Sequence, residues 1–100
     1  MQSYADYVIF FKAVSDETRL RIVEMLFSGE MCACDILENV SISQSTLSYH
    51  MKILSECGLV NAVRDGAWMR YSIHPESFDN IVHFLNELKH PKQVYLRRDC

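Results

Sequence analysis

Two cysteines separated by one residue, Cys32 and Cys34, are the side chains of this 100-residue chain best suited to chemistry. A thiolate is a soft donor that prefers soft metal and metalloid ions, and it is also open to oxidation. The spacing imposes a geometric condition. Positions two apart on an ideal α-helix lie about 200° apart in projection, so in regular helix these two side chains point in nearly opposite directions. One ion can be held by both only where the turn is not regular helix or deforms on binding. The alternative is a pair of inert structural residues. Cys57, in Ser55-Glu56-Cys57-Gly58, reads as a packed small hydrophobe, and Cys100 is expected to be exposed.

A second set of groups is polar. The stretch from Ser43 to Val60, SQSTLSYHMKILSECGLV, reads as one exposed helix with Ser43 as N-cap and Gly58 as its stop. At 100° per residue, Leu47, Met51 and Leu54 share a face flanked by His50 and Ile53, and Ser45, Ser48, Tyr49 and Lys52 fall opposite. Hydroxyls, a phenol, the amide of Gln44 and a lysine suit a DNA major groove, where they meet phosphates and base edges alike. An ordinary solvated helix face is the other reading. His50, near the core edge, reads as a hydrogen-bonded structural histidine. Asp79, His83 and Glu87 recur every four residues, with His90 beyond them, and read as a solvated face. No Ser-His-Asp set, paired catalytic carboxylates or glycine-rich phosphate loop stands out, and three glycines leave little material for such a loop, so an enzyme is not expected.

These groups need elements to position them. Residues 3 to 14 (SYADYVIFFKAV) read as a helix, with Tyr4, Tyr7, Val8, Phe11 and Val14 at spacings of three and four. Ile9 and Phe10 widen its apolar band beyond the needs of one small core, which points to a second covered surface such as another subunit. Ser15 or Asp16 caps a helix over about 17–28 that stops at Gly29, with Leu20, Val23, Met25, Leu26 and Phe27 as its apolar side and Arg19 and Arg21 solvated or paired. A shorter helix falls within 32–40, with Ile36, Leu37 and Val40 as its core edge, and Ser41-Ile42 leads from it into the helix over 43–57. Two short helices joined by a tight turn, the second with a polar outer face, make a helix-turn-helix. After Gly58 the period changes to two. Val60 to Arg64 and Trp68 to Ile73 read as strands joined by a type I′ turn at Asp65-Gly66. Such a hairpin is a wing over 60–73, and Arg64 and Arg70 beside its tip would meet the DNA backbone or minor groove. The alternative is a structural hairpin with solvated arginines. Pro75 opens a last helix over 75–90, with Phe78, Ile81, Val82, Leu85 and Leu88 at helical spacing, Phe84 widening the stripe and Pro91 ending it.

The expected architecture is therefore mainly α with a small β-hairpin: a winged helix-turn-helix of five helices plus a two-stranded wing. One DNA-binding domain covers 1–91, and a loose C-terminal tail covers 92–100. The first and last helices are the most apolar, and we expect them to form a dimer surface. At 49% hydrophobic residues with 11% aromatic, the chain is globular rather than disordered. There is no apolar run near 18 residues, hence no membrane span, and the start MQSYADY lacks a signal pattern, so a cytoplasmic location is expected. In a reducing compartment the four cysteines read as free thiols or ligands rather than a disulfide framework. The net charge of −3 is unevenly placed. Residues 1–40 are the most acidic, while 41–74 carry Lys52, Arg64 and Arg70 against Glu56 and Asp65. The candidate recognition helix thus lies in the least acidic segment.

Taken in order, the runs SDETRLRIVEMLFSGEMCACDIL, SQSTLSYHMKILSECGLV and VRDGAWMRYSIH resemble the ArsR/SmtB family of metal-sensing winged-helix repressors, in particular its arsenical-resistance repressors. The resemblance runs without a gap over residues 13 to 74. It implies a homodimer that binds double-stranded operator DNA without ligand and leaves it on binding a metal or metalloid. Cys32 and Cys34 match the Cys-x-Cys of the family's thiol-rich site, and members with that pair are sensors of arsenite, antimonite, or cadmium and lead. Arsenite-sensing members often have a third cysteine three residues later, where this chain has Leu37. Cadmium-sensing members of this type take further thiolates from an N-terminal arm, and residues 1 to 31 contain no cysteine. Cys100, from either subunit, is a further candidate third ligand. The family's other site, on the last helix, uses an Asp-x-His pair that Asp79 and His83 do not reproduce.

The functional expectation is a transcriptional repressor released when arsenite or antimonite binds Cys32 and Cys34, with no organic cofactor. Chelation would distort the first helix of the helix-turn-helix and misplace Ser45, Ser48 and Tyr49. Gln44, Ser45, Ser48, Tyr49 and Lys52 are the expected groove contacts, and Arg64 and Arg70 those of the wing. Three alternatives stay open: a thiol redox or persulfide sensor, a cadmium or lead sensor, and a winged-helix module used for dimerisation or protein contact.

Overall fold

Four of the five described helices begin where a short side chain accepts a hydrogen bond from an N–H group that the helix itself leaves unpaired. A computed structural model of the protein describes residues 3–90. The hydroxyl of Ser3 accepts from the N–H of Asp6 at 3.2 Å and starts α1 (Tyr4–Val14). Asp16 accepts from the N–H of Arg19 at 3.0 Å and starts α2 (Glu17–Leu26). Ser43 accepts from the N–H of Thr46 at 3.1 Å and starts α4 (Gln44–Glu56). Between α2 and α4 lie a two-residue strand, β1 (Met31–Cys32), and the short helix α3 (Ala33–Asn39). The strands β2 (Val60–Asp65) and β3 (Trp68–Ile73) follow, and α5 (Pro75–Lys89) is the last described element. The tail expected over 92–100, with Cys100, and the stop expected at Pro91 lie outside the described residues.

The fully buried side chains Ile22, Ile36, Leu47, Met51, Leu54 and Leu59 come from α2, α3, α4 and the residue before β2. Phe10 and Ala13 of α1, Tyr71 of β3 and Ile81 of α5 close this core. The inward faces of α1 and α2 differ from the expected ones. Phe10 is a core residue of α1, whereas Tyr4, Val8 and Phe11 are exposed. In α2 the core residues are Ile22, Val23 and Leu26, and Leu20 and Phe27 face outward. Both helices carry apolar residues on more than one face, so periodicity alone does not say which stripe is buried.

The sheet has three strands in the order β1-β3-β2, all antiparallel, rather than the two expected. Met31 pairs with Tyr71 and Cys32 with Arg70. A strand of two residues is too short to show an alternating pattern, which is why the sequence did not reveal it. The hairpin register places Asp65 opposite Trp68, so the turn residues are Gly66 and Ala67, not Asp65 and Gly66. Gly66 has φ +64°, and among the described residues only glycines have a positive φ. That is the pattern of a type II′ turn, which needs left-handed backbone only at its first central position, in place of the expected type I′.

One joint ties the last helix to the end of α4. Gly58, at φ +82°, ends α4 in the left-handed conformation, and its carbonyl accepts from the Ser77 hydroxyl at 2.8 Å. Ser77 also lies 3.0 Å from Nδ1 of His74, whose N–H donates to Leu59 O at 2.8 Å. No helix among the described residues is long and apolar enough to cross a membrane.

The Arg19 N–H holds the Asp16 carboxyl below its ordinary range, with a smaller contribution from the Arg19 charge. A carboxylate with a lowered pKa in the folded state contributes stability above its unfolded pKa and loses it as pH falls through the folded value. Asp16→Ala should therefore lower the Tm near pH 7, and the deficit should narrow as the pH falls to about 3. Thermal unfolding followed by circular dichroism across that range checks this.

Candidate thiol centre and DNA-binding face

Cys32 is the N-cap of α3, with φ −80° and ψ 162°, so it stands in extended backbone and outside the helix. This changes the geometry of the cysteine pair. The expected helix over 32–40 would have turned the two side chains apart. An extended residue followed by the first turn of a helix turns them together instead, with the Cα atoms 5.3 Å apart and the sulfurs bonded to each other. The expectation of free thiols thus fails for this pair, while Cys57 is a free thiol. No deformation of the helix is required to bring Cys32 and Cys34 to one point.

Asp35 completes the site. Its carboxylate accepts from the N–H of Cys32 at 3.1 Å, and its own N–H donates to the Cys32 sulfur at 3.4 Å. This is a capping box with cysteine in the place usually held by serine or threonine. One donor atom from each of Cys32, Cys34 and Asp35 falls within 4.8 Å of the others. No other group of three His, Cys, Asp or Glu among the described residues is so placed. Two sulfurs and one carboxylate oxygen fit a soft or borderline ion once the sulfurs are reduced. The spacing Cys32-x-x-Asp35 was the available signal for Asp35, and it was missed because the cap residue is a cysteine. Asp79, His83 and Glu87 are exposed on α5 and His90 at its C-cap, and His83 lies 4.0 Å from Glu87.

Cys57 differs in character. Its sulfur donates to Leu54 O at 3.3 Å, and burial pushes its thiol above the usual range, so it stays protonated at neutral pH.

All five expected groove residues, Gln44, Ser45, Ser48, Tyr49 and Lys52, are exposed on α4. The opposite face of this helix is set by Leu47, His50, Met51 and Leu54 in the core. His50 is the one buried polar side chain among the described residues, and its Nδ1 lies 2.9 Å from Nη1 of Arg19. A guanidinium only donates, so Nδ1 accepts and the ring proton sits on Nε2. Arg19 also donates from Nε to Ala13 O at 2.6 Å. One arginine on α2 thus joins the end of α1 to the middle of α4. No local pattern distinguishes Arg19 from Arg21.

The two wing arginines are placed differently. Arg64 is exposed and makes no ion pair among the described residues. Arg70 is held by two carboxylates, with Nε 2.7 Å from Asp65 and Nη1 3.4 Å from Glu30. The Asp65 hydrogen bond is also the main reason its pKa is raised. Arg70 is therefore not a free cation like Arg64 in this structure. To meet a phosphate it must leave these partners.

Residues 16–62, which span α2 through the start of β2, match the family described as "Bacterial regulatory protein, arsR family". The arsenical resistance operon repressor of Staphylococcus aureus is 42% identical over 84 residues, covering 84% of this chain and 81% of that protein. The chain belongs to the ArsR family. A relative named as a cadmium resistance transcriptional regulatory protein CadC homolog, also from Staphylococcus aureus, is 33% identical, covering 81% of this chain and 68% of that protein. Among solved structures, an ArsR-like transcriptional regulator from Rhodococcus sp. RHA1 superposes with a TM-score of 0.76 at 28% identity, covering 86% of this chain and 81% of that one. This ArsR-family chain is thus a transcriptional repressor with a winged helix-turn-helix fold, and its relatives are regulators rather than enzymes. ArsR-family regulators bind operator DNA and are typically dimeric.

Two measurements check this geometry. Arg19→Met should destabilise the fold by about 1–3 kcal/mol in urea unfolding, because it strands the His50 ring nitrogen and the Ala13 carbonyl. In the reduced protein near pH 7, Cys57 should react with iodoacetamide more slowly than Cys32 or Cys34, as read by peptide mass spectrometry. Equal rates would mean that burial does not protect Cys57.

Proposed function

We propose that this repressor binds its operator as a homodimer and is released when a thiophilic metalloid, arsenite or antimonite, binds the reduced thiols of Cys32 and Cys34. The observation that carries the reading is the convergence of those two sulfurs at the head of α3, the first helix of the helix-turn-helix. Arsenite has three exchangeable hydroxyls. Two thiols replace two of them, forming two As–S bonds and releasing two waters, each taking its proton from a thiol. The third position keeps its hydroxyl or takes a further donor, for which Cys100 and the adjacent Asp35 are the candidates. The name of one relative supports arsenicals and that of another supports cadmium, so cadmium or lead is the alternative ion. A second reading, thiol oxidation or persulfide sensing, is favoured by the bond between the two sulfurs.

On the DNA side, Gln44, Ser45, Ser48, Tyr49 and Lys52 of α4 enter the major groove, and the wing meets the backbone through Arg64, joined by Arg70 when it leaves its carboxylates. The dimer forms through α1 and α5. Tyr7 stacks on Phe84 with ring centroids 4.0 Å apart, and the same two helices carry the exposed apolar side chains Val8, Ile9, Val82, Leu85 and Leu88. Exposed apolar side chains on two touching helices are what a subunit interface covers.

The first experiment is arsenite titration of the reduced protein, followed by ultraviolet thiolate absorption, with release from operator DNA measured in parallel. Cys32→Ser and Cys34→Ser should each lose the absorption and the release. Cys100→Ser weakens both if the tail supplies a third sulfur and leaves them unchanged otherwise. Absence of absorption in the wild type would sink the metalloid reading and favour oxidation. Tyr49→Phe should alter sequence preference, whereas Arg64→Ala should weaken all sequences alike and reduce the salt slope by about one. Leu85→Glu should shift the protein to monomer in sedimentation.

A further inference from the structure

The thiol site and the wing belong to one sheet. Residues directly opposite in an antiparallel pair project from the same face, with Cβ atoms about 4.5–5.5 Å apart. Cys32 is opposite Arg70, Val63 is opposite Arg70 on the other side, and Asp65 is opposite Trp68. Cys32, Arg70, Val63, Asp65 and Trp68 therefore share the outer face of the sheet, away from buried Tyr71. Across this face the Arg70 guanidinium bridges Glu30, just before β1, and Asp65, at the tip of the hairpin. It spans the sheet from the strand that ends at the thiol pair to the far end of the wing.

The two ion pairs are half-exposed, with side-chain exposures of 43% for Arg70, 56% for Glu30 and 61% for Asp65, so they add little to stability. What they determine is position. β1 is only two residues long, and its second residue is at once the last strand residue, the N-cap of α3 and a member of the thiol pair. A change in how the two sulfurs are bridged acts directly on that residue, and its cross-strand neighbour is Arg70.

We infer that Arg70 is a positioning residue that transmits the state of the thiol pair to the wing: bridging of Cys32 and Cys34 shifts the end of β1, and Arg70, fastened to Glu30 and Asp65, passes the shift to the β2–β3 hairpin. This rests on the reading above that the pair is the sensing site. It adds a route to the wing beside the one through α3 to α4.

The chain contains one tryptophan, Trp68, two residues before Arg70 on the same strand and face, and this reports on the wing directly. The experiment titrates the reduced full chain with arsenite while reading thiolate absorption and Trp68 emission together. In the wild type both signals should change in step and end at the same stoichiometry. Glu30→Gln and Asp65→Asn each release one end of Arg70 and should keep the absorption and the fold, while the Trp68 response falls about threefold or more. A Trp68 response of equal size in all three proteins would overturn the relay, as would wild-type absorption with unchanged Trp68 emission. If the wild type shows no absorption, the arsenite reading fails, and the relay is decided by closing the Cys32–Cys34 disulfide with diamide in a Cys57→Ser, Cys100→Ser background. A Trp68 change that the Glu30 and Asp65 variants suppress supports the relay; an unchanged Trp68 overturns it.

Discussion

The extended backbone of Cys32 is the constraint on which the functional half of this molecule depends. A helix N-cap needs non-helical φ and ψ so that its side chain can reach the N–H groups of the first turn. A strand residue needs the same region of backbone space to pair with its neighbour. Cys32 meets both requirements at once, with its N–H capped by Asp35 and its position in the ladder opposite Arg70. Were the helix to begin one residue earlier, the strand pairing would be lost and the two sulfurs would separate. The thiol site is thus a by-product of where α3 starts, and it needs no cage of its own.

On the other side of the core, α4 is held by contacts of two kinds. Leu47, Met51 and Leu54 fix which face is buried, but apolar contacts tolerate sliding along the helix axis. The hydrogen bond between Arg19 and His50 is directional, and burial of the ring makes its loss expensive. Together they fix both the rotation and the height of the helix, and so which of its outer side chains lie level with a groove.

The sequence made much of this legible. The apolar spacing in Ser43–Val60, the caps at Asp16 and Ser43, and the change of period after Gly58 each follow from local rules, and they locate the helix-turn-helix and hairpin. The outer face of α4 was legible for the same reason, since its core face is narrow. The failures have separate causes. β1 and the Glu30–Arg70 contact depend on pairing between segments about forty residues apart, which no local period encodes, and the Cys32–Cys34 convergence follows from a helix that starts at a cysteine cap. In α1 and α2, Phe10 and Leu20 exchanged roles with their neighbours because both helices carry apolar residues in excess of one stripe.

The joint between Gly58 and Ser77 has a geometric consequence. A Cβ at Gly58 would lie 3.6 Å from the Ser77 hydroxyl, so the end of α4 and the start of α5 are in close contact as well as hydrogen-bonded. In a two-fold dimer built on α1 and α5, each α4 is therefore attached to the symmetry axis through a short, stiff elbow rather than a flexible linker. The distance between the two copies of α4 is then a property of that elbow, and on DNA it becomes the spacing between the two halves of a palindromic site. A change of a few degrees at Gly58 or Ser77 would alter which spacing such a dimer can span.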